Sequence, residues 1–250
     1  MKGLIKSALS VAGVEIRLQR NVAQAWKEEK REAVLKPWRK LSRYQPMMIL
    51  DIGANDGFSV KQFRKIFPSV TILSFEPLAD CFSKVESVIQ ESPPGRAFHC
   101  ALGDEDGTAV IHKSDFSPSS SLLPMDELHR TELPHTAKGT EEQIQVRRLD
   151  GLMPELRLEF PLIAKIDVQG FEDRVIRGGE IVLRQAAAIV VELSSYSLYQ
   201  GQACFSGVHA QLEAMGFVFR GTIDQMLSPR DGRILQFDAL FENVQFSEPS

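Results

Sequence analysis

Cysteine is scarce in this 250-residue chain, which holds only Cys81, Cys100 and Cys204. An odd number of widely separated thiols fits neither a disulfide framework nor a metal-ligand spacing, so reduced buried thiols in a cytoplasmic protein are expected. Long apolar runs are missing as well. No stretch approaches the roughly 18 residues that a bilayer-spanning helix needs. The stretch 1–16 is interrupted by Lys6 and Glu15 and shows no small-residue cleavage site, so a secretory signal is not expected. No internal repeat is visible. What remains, 43% hydrophobic and 25% charged residues, is the composition of a globular protein of one α/β domain.

Acidic residues are thin at one end. Residues 1–45 contain 11 Lys and Arg against 4 Glu, a net charge of +7, which leaves −11 for the remainder. Ile5, Leu9, Ala12, Ile16, Ala23 and Trp26 follow roughly one helical face, and Pro37 is expected to end or kink that helix. The chain is therefore divided into a basic helical extension, 1–45, and a body, 46–250. Two accounts of the extension stand: a helix packed on the body or on a partner chain, a homo-oligomer included, or a peripheral surface for anionic membrane or polymer.

The body opens with an apolar lead-in, Met47-Met48-Ile49-Leu50, that reads as a buried strand and runs into Asp51-Ile-Gly-Ala-Asn-Asp-Gly57. Gly53 and Gly57 allow a tight turn and close approach of a ligand to the backbone. Residues from Phe58 to Phe67 continue with helical spacing. A strand, a glycine loop and a helix place a ligand at the carboxyl ends of parallel strands. A dinucleotide loop would read G-x-G-x-x-G, but its middle glycine is absent here. Asp51 before the loop would also repel a phosphate and suits a ligand with a cationic or hydrogen-bond-donating end. Ser69–Phe75 reads as a second strand ending at Glu76, an acid placed to accept hydrogen bonds from two ribose hydroxyls. A glycine loop plus this acid, with no phosphate site, describes a nucleoside carrier such as S-adenosyl-L-methionine.

Further on, helix Ala79–Gln90 and strand Arg96–Ala101 are expected, then a short strand Thr108–His112, a polar loop over 114–140 that reads as a lid, and an edge strand Gln143–Leu149. Strand Leu162–Val168, helix Glu172–Gln185, strand Ala187–Leu193, helix Ser206–Met215 and strand Phe217–Gly221 follow. Arg230-Asp-Gly-Arg233 turns into a last strand, Ile234–Phe241, which must be antiparallel. The fold class expected is a Rossmann-like α/β fold whose sheet has seven mostly parallel strands.

With these segments in place, the chain resembles the FkbM-type family of S-adenosylmethionine-dependent methyltransferases. The resemblance rests on Asp51–Gly57, Phe75-Glu-Pro77, Ala101-Leu-Gly103 with Gly107, Leu149-Asp150, Lys165-Ile-Asp-Val-Gln-Gly170 with Glu172, Arg177-Gly-Gly179, Val190-Val-Glu192 and Asp238-Ala-Leu-Phe241. Where the family's K-x-D-x-E-G run carries an acid, this chain has Gln169. The resemblance implies a class I methyltransferase fold and methylation of a hydroxyl on a sugar, glycan or secondary metabolite. It further implies that Gly53, Ala54 and Asn55 cradle the methionine end, Glu76 the ribose, and Ala101 and Leu102 the adenine, with Asp51 and Gly57 in the same motif.

A hydroxyl is a weak nucleophile at neutral pH and needs a base or a metal. Asp167 and Glu192 end adjacent strands at the ligand rim. Together they could hold Mg²⁺, or one could act as general base. His129 and His135, in the long loop, are further candidates for the base. Nucleic acid is a less expected acceptor. No Pro-Pro-aromatic turn follows the fourth strand, no cysteine follows a proline, and only ribose methylation assisted by the basic extension stays open. A non-catalytic binding protein is the third alternative.

Overall fold

The computed structural model describes residues 22, 24–26, 28–29 and 32–246, and the chain divides into two units between Lys40 and Leu41. In the first, the described residues are helical up to Leu35, and a turn begins at Lys36 and Pro37. Arg39 and Glu32 form an ion pair of 2.8 Å. Ile5, Leu9, Ala12, Ile16 and Ala23, five positions of the expected apolar face, lie outside the described residues. No helix among the described residues is long and apolar enough to cross a membrane.

Among its described residues the second unit contains ten strands: β1 (Met48–Ile52), β2 (Thr71–Phe75), β3 (Gly95–Phe98), β4 (Ala101–Leu102), β5 (Gly107–Ser114), β6 (Gly139–Arg147), β7 (Leu162–Ile166), β8 (Ala186–Ser194), β9 (Phe217–Leu227) and β10 (Ile234–Asn243). Seven of them form one sheet in the order β3-β2-β1-β7-β8-β10-β9. All neighbours are parallel except β10, which runs antiparallel to both β8 and β9. This is the class I methyltransferase arrangement. β1 and β7 are buried along their whole length, as parallel strands covered on both faces must be, which is why they read as unbroken apolar runs. Helix Phe58–Ile66 turns Val60 and Phe63 inward, and helix Ala79–Glu91 turns Cys81, Val85, Val88 and Ile89 inward, spacings that keep one face on the sheet. The chain order reverses between β1 and β7, and a crevice opens at such a switch point beyond the carboxyl ends of the strands.

Four sequence expectations are corrected. The expected third strand Arg96–Ala101 divides: Cys100 N–H bonds back to the Phe98 carbonyl at 3.0 Å, and Ala101–Leu102 leaves the main sheet to pair with β6. The expected edge strand is the centre of a second sheet, β4-β6-β5. The loop 114–140 is built rather than featureless, with 3-10 turns at Ser117–Ser119 and Pro134–Thr136 around a helix Glu127–Glu132. Helix Glu172–Gln185 is two pieces, Glu172–Gly178 and Glu180–Leu183. At Gly178 a side chain would collide with the Gly103 carbonyl, so the helix meets the neighbouring loop backbone to backbone.

Candidate active site

At the switch point a cleft is lined by Gly53, Asn55, Glu76, Ala101, Leu102, Asp167, Gln169 and Glu192, and is walled on the far side by Ser117, Pro118 and Ser120–Leu122. Seven of the residues singled out in the sequence thus come together. Glu76 is 5% exposed. One of its carboxylate oxygens accepts the Asn55 N–H and the other the Leu78 N–H, both at 2.8 Å. Each oxygen keeps a lone pair for a ligand donor. Burial pushes this carboxyl up to about 7 even though the two N–H groups favour its charge. Asn55 reaches its place with φ at 48°, and its side-chain oxygen accepts from the Cys81 thiol at 3.2 Å. Gly53 has φ at 84°, and a side chain there would run into the Asp167 carbonyl oxygen. The glycine is needed where the ends of β1 and β7 nearly touch.

Five candidate residues do not line the cleft. Asp51 is fully buried: one oxygen accepts the Ser59 hydroxyl at 2.6 Å and the other has no protein partner. It ties the end of β1 to the following helix, and burial raises its carboxyl. Ala54 is 2% exposed and donates its N–H to the Phe75 carbonyl. Gly57 takes the left-handed conformation, φ 79°, that starts helix Phe58–Ile66. His135 is exposed, with its ring edge-on to Phe116 at 5.6 Å, and is therefore corrected as a base. His129 is buried, bonded to the Thr136 hydroxyl at 2.9 Å, and pushed down to about 4 by burial. It is a neutral structural imidazole.

The opposite rim is a network of charged and amide groups. Lys165 Nζ lies 3.0 Å from Asp167 Oδ2. Burial opposes the Lys165 charge, but Asp167, Asp51 and Asp238 outweigh it and hold its pKa above the usual lysine value. Burial likewise opposes the Asp167 charge. Lys165 and hydrogen bonds from Gln169, Lys165 and Glu192 overcome it and keep this carboxyl below its ordinary range. Glu192 is pushed well above, by burial first and then by Asp167 and Asp238. Two carboxyls this close do not both ionise, so they titrate as a pair that retains one proton. Gln169 joins them: its amide nitrogen donates to Asp167 Oδ1 at 2.9 Å and to Glu192 Oε2, and its amide oxygen accepts the Tyr199 hydroxyl at 2.9 Å. Gln236 donates to Glu192 Oε2 at 2.8 Å.

These acids do not fit Mg²⁺. The Asp167 oxygens already accept from an ammonium and an amide, and one Glu192 oxygen accepts from two amides. A dication would have to displace these donors while sitting beside Lys165. Among the described residues, no cluster of three or more metal-binding side chains is present. Gln169 appeared in the sequence only as a departure from a motif, yet it is the centre of the rim. Ser117–Leu122 and Tyr199 lie in the stretches 114–140 and 194–206 expected to build the acceptor pocket, but no motif there singled them out, and Gln236 carried no sequence signal for a site.

The chain is 29% identical over 161 residues to the 2-O-methyltransferase NoeI of Sinorhizobium fredii, covering 62% of this chain and 66% of that one. It is 28% identical over 159 residues to the 31-O-demethyl-FK506 methyltransferase FkbM of Streptomyces tacrolimicus, covering 53% and 59%. It thus spans from under three fifths to about two thirds of such relatives, the shortest share being 57% for Methyltransferase 1 of Beauveria bassiana. Among solved structures it is similar to the plantazolicin methyltransferase BpumL in complex with SAH, at 12% identity and a TM-score of 0.47 over 88% of each chain. The Methyltransferase FkbM domain matches residues 51–219, from the acid that opens the glycine loop through β1, β7 and β8 into β9, and the chain belongs to that family.

Proposed function

We propose that the protein is an S-adenosyl-L-methionine-dependent O-methyltransferase acting on a hydroxyl of a sugar, glycan or secondary metabolite. The observation that carries this reading is the cleft itself, where Glu76 and the carboxyl pair Asp167–Glu192 face one space from opposite rims. Bound there, S-adenosyl-L-methionine supplies an electrophilic methyl group that leaves its electron pair on sulfur when an acceptor oxygen takes it. Glu76 accepts the ribose hydroxyls, Gly53 and Asn55 hold the backbone-facing end, and Ala101 and Leu102 offer an apolar wall to the base. The carboxyl pair, which holds one proton and one negative charge, receives the acceptor's hydroxyl proton. Orientation of this kind is worth about 7–11 kcal/mol in a displacement reaction. The rim around the pair is acidic and the basic charge lies in residues 1–45, which favours a neutral hydroxyl acceptor over a polyanion.

Within the same reading, residues 46–250 form the catalytic domain of a cytoplasmic enzyme. Residues 1–45 form an extension that attaches it to a partner copy or to an anionic surface. The test is calorimetry of S-adenosylmethionine binding followed by an acceptor screen with the labelled compound. Glu76→Ala is expected to weaken binding at least about tenfold, since charge-assisted hydrogen bonds contribute roughly 1.5–3 kcal/mol each. Equal affinity in wild type and variant would remove Glu76 from the cofactor site.

A further inference from the structure

A second, smaller groove lies beside the cleft, between β9 and β10. Its walls are Asp224, Gln225 and Met226 from β9, Gln236, Phe237 and Asp238 from β10, and Glu192 from β8. Glu192 also lines the main cleft, so one side chain separates the two spaces. We propose that the acceptor docks in this groove and that the part it inserts is a single polyhydroxylated, sugar-sized ring, with Asp238 receiving its hydroxyls. The proposal rests on reading the main cleft as the methyl-donor site.

Strand pairing explains why the groove exists. Phe237 pairs with Gln225 and Ala239 with Thr222, so two residues of β9, Ile223 and Asp224, stand opposite Asp238 alone. This is a bulge. It interrupts the ladder, bends the strand and re-aims side chains, and bulges gather next to active sites. Across the other edge of β10, Asp238 is in register with Glu192, and cross-strand partners project from the same face of a sheet. Asp238 is therefore held beside the residue that borders the methyl-donor cleft.

The chemistry of the walls selects the ligand. Among the described residues, no hydrogen bond reaches the Asp238 carboxylate. Burial pushes it up to about 7, with Lys165 working in the opposite direction and Asp167 and Asp224 working with burial. A partly buried acceptor without a donor gains from a ligand hydroxyl. Glu192, Asp224 and Asp238 together exclude a phosphate or carboxylate ligand, because like charges in a half-buried groove repel. Gln225 and Gln236 add amides that can donate and accept. An apolar acceptor would leave the Asp238 carboxylate without a donor, whereas Glu192 already accepts from Gln236 and Asp224 from the Gln225 N–H. The cavity holds about 240 Å³, below the roughly 300 Å³ at which drug-sized pockets begin, so it takes one ring. The exposed Asp224 and Gln225 mark the mouth, from which the rest of a larger acceptor extends into solvent.

The full chain, saturated with S-adenosylhomocysteine, is titrated with methyl α-D-glucopyranoside, methyl α-D-mannopyranoside and methyl α-L-rhamnopyranoside, and binding is read by saturation-transfer NMR. At least one glycoside is expected to bind the wild type. Asp238→Asn should weaken it about tenfold or more, and Asp224→Ala at the mouth by a few-fold, as expected for losing a charged and a partly solvated hydrogen-bond acceptor. Both variants should keep wild-type affinity for S-adenosylhomocysteine, which shows that they are folded. If the homocysteine compound binds but no glycoside does, or if both variants bind glycoside as the wild type does, the groove proposal is overturned and the methyltransferase reading stands. If cyclohexylmethylamine binds in place of the glycosides, the groove is a cation site and the proposal also fails. If the homocysteine compound itself does not bind the wild type, both readings fall together.

Discussion

Gln169 sits at φ 55°, a left-handed conformation that costs a residue other than glycine on the order of 1–2 kcal/mol. The strain falls at the proposed proton-accepting pair, because this turn brings one amide between Asp167, Glu192 and Tyr199. Two substitutions separate its roles. Gln169→Glu replaces a donor to two carboxyls with a third carboxyl. The pair should then hold its proton more tightly, and the acid limb of the kcat–pH profile should move up by roughly one unit or more. Asp167→Asn removes the ionised member and should lower kcat by roughly 10²–10⁴-fold. Its affinity for S-adenosylhomocysteine should change little, because the proposed ribose site is on the opposite rim at Glu76. Steady-state kinetics and calorimetry check both. Near-normal turnover in Asp167→Asn would move proton acceptance onto Glu192 alone.

Among the elements, the segment 114–140 decides how the cleft is closed. It reads as a mobile lid in the sequence, yet the structure ties it down at several points. Ser121 exchanges backbone hydrogen bonds with His112 and donates its hydroxyl to the Gln169 carbonyl. Helix Glu127–Glu132 is anchored through Glu132, which is buried and bonded to Arg233 at 2.6 Å and to the Ser228 hydroxyl at 2.7 Å. Glu132→Ala strands these partners. Removing one member of a buried pair costs roughly 3–5 kcal/mol, but Arg233 is about one-third exposed, so a loss of about 1–3 kcal/mol is expected. A lower denaturation midpoint and faster hydrogen exchange over 117–133 would show it. Unchanged exchange there would mean that Ser121 and Tyr199 hold the wall without the helix. The anchors were illegible because Glu132 and Arg233 lie 101 residues apart in sequence. The break after Phe98 was equally hidden, since only pairing with β6 draws Ala101 out of the main sheet. Helix Leu149–Leu156 escaped notice because Gly151 and Pro154 lie inside it. The seven strands, the antiparallel last one and the acids near the ends of β2, β7 and β8 were legible, because buried parallel strands write themselves as apolar runs with abrupt polar ends. The groove at Asp238 was not, because a bulge is set by how two strands pair.

For the molecule as a whole, the cost of burying acids in and around the cleft is a dependence of stability on pH. Burial raises Glu76, Glu172 and Asp238 to about 7 each, and it also raises Glu192 and Asp51. In the unfolded chain these groups ionise at about 4. Between about pH 5 and 7 the folded protein thus holds protons that the unfolded chain has released, and stability falls as pH rises through this window. His129 opposes the trend. Its folded value of about 4, set by burial, makes the unfolded chain the better proton binder below the ordinary histidine value, which favours higher pH. Several acids outweigh one imidazole, so the net direction is downward. Asp167 and Asp80, held below their ordinary range, lose their contribution only at more acid pH. The ligand-free protein should therefore melt at a higher temperature at pH 5.5 than at pH 7.5, by a margin equivalent to roughly 1–3 kcal/mol. Ribose hydroxyls prefer an ionised Glu76, so saturating S-adenosylhomocysteine should stabilise the protein more at pH 7.5 than at pH 5.5 and reduce the difference. Glu76→Gln should remove that ligand-dependent part and leave the remaining slope. Calorimetric melting with and without ligand across this range decides the matter: a ligand-free melting temperature that climbs from pH 5.5 to 7.5 would mean that the rim acids are already ionised in the folded protein.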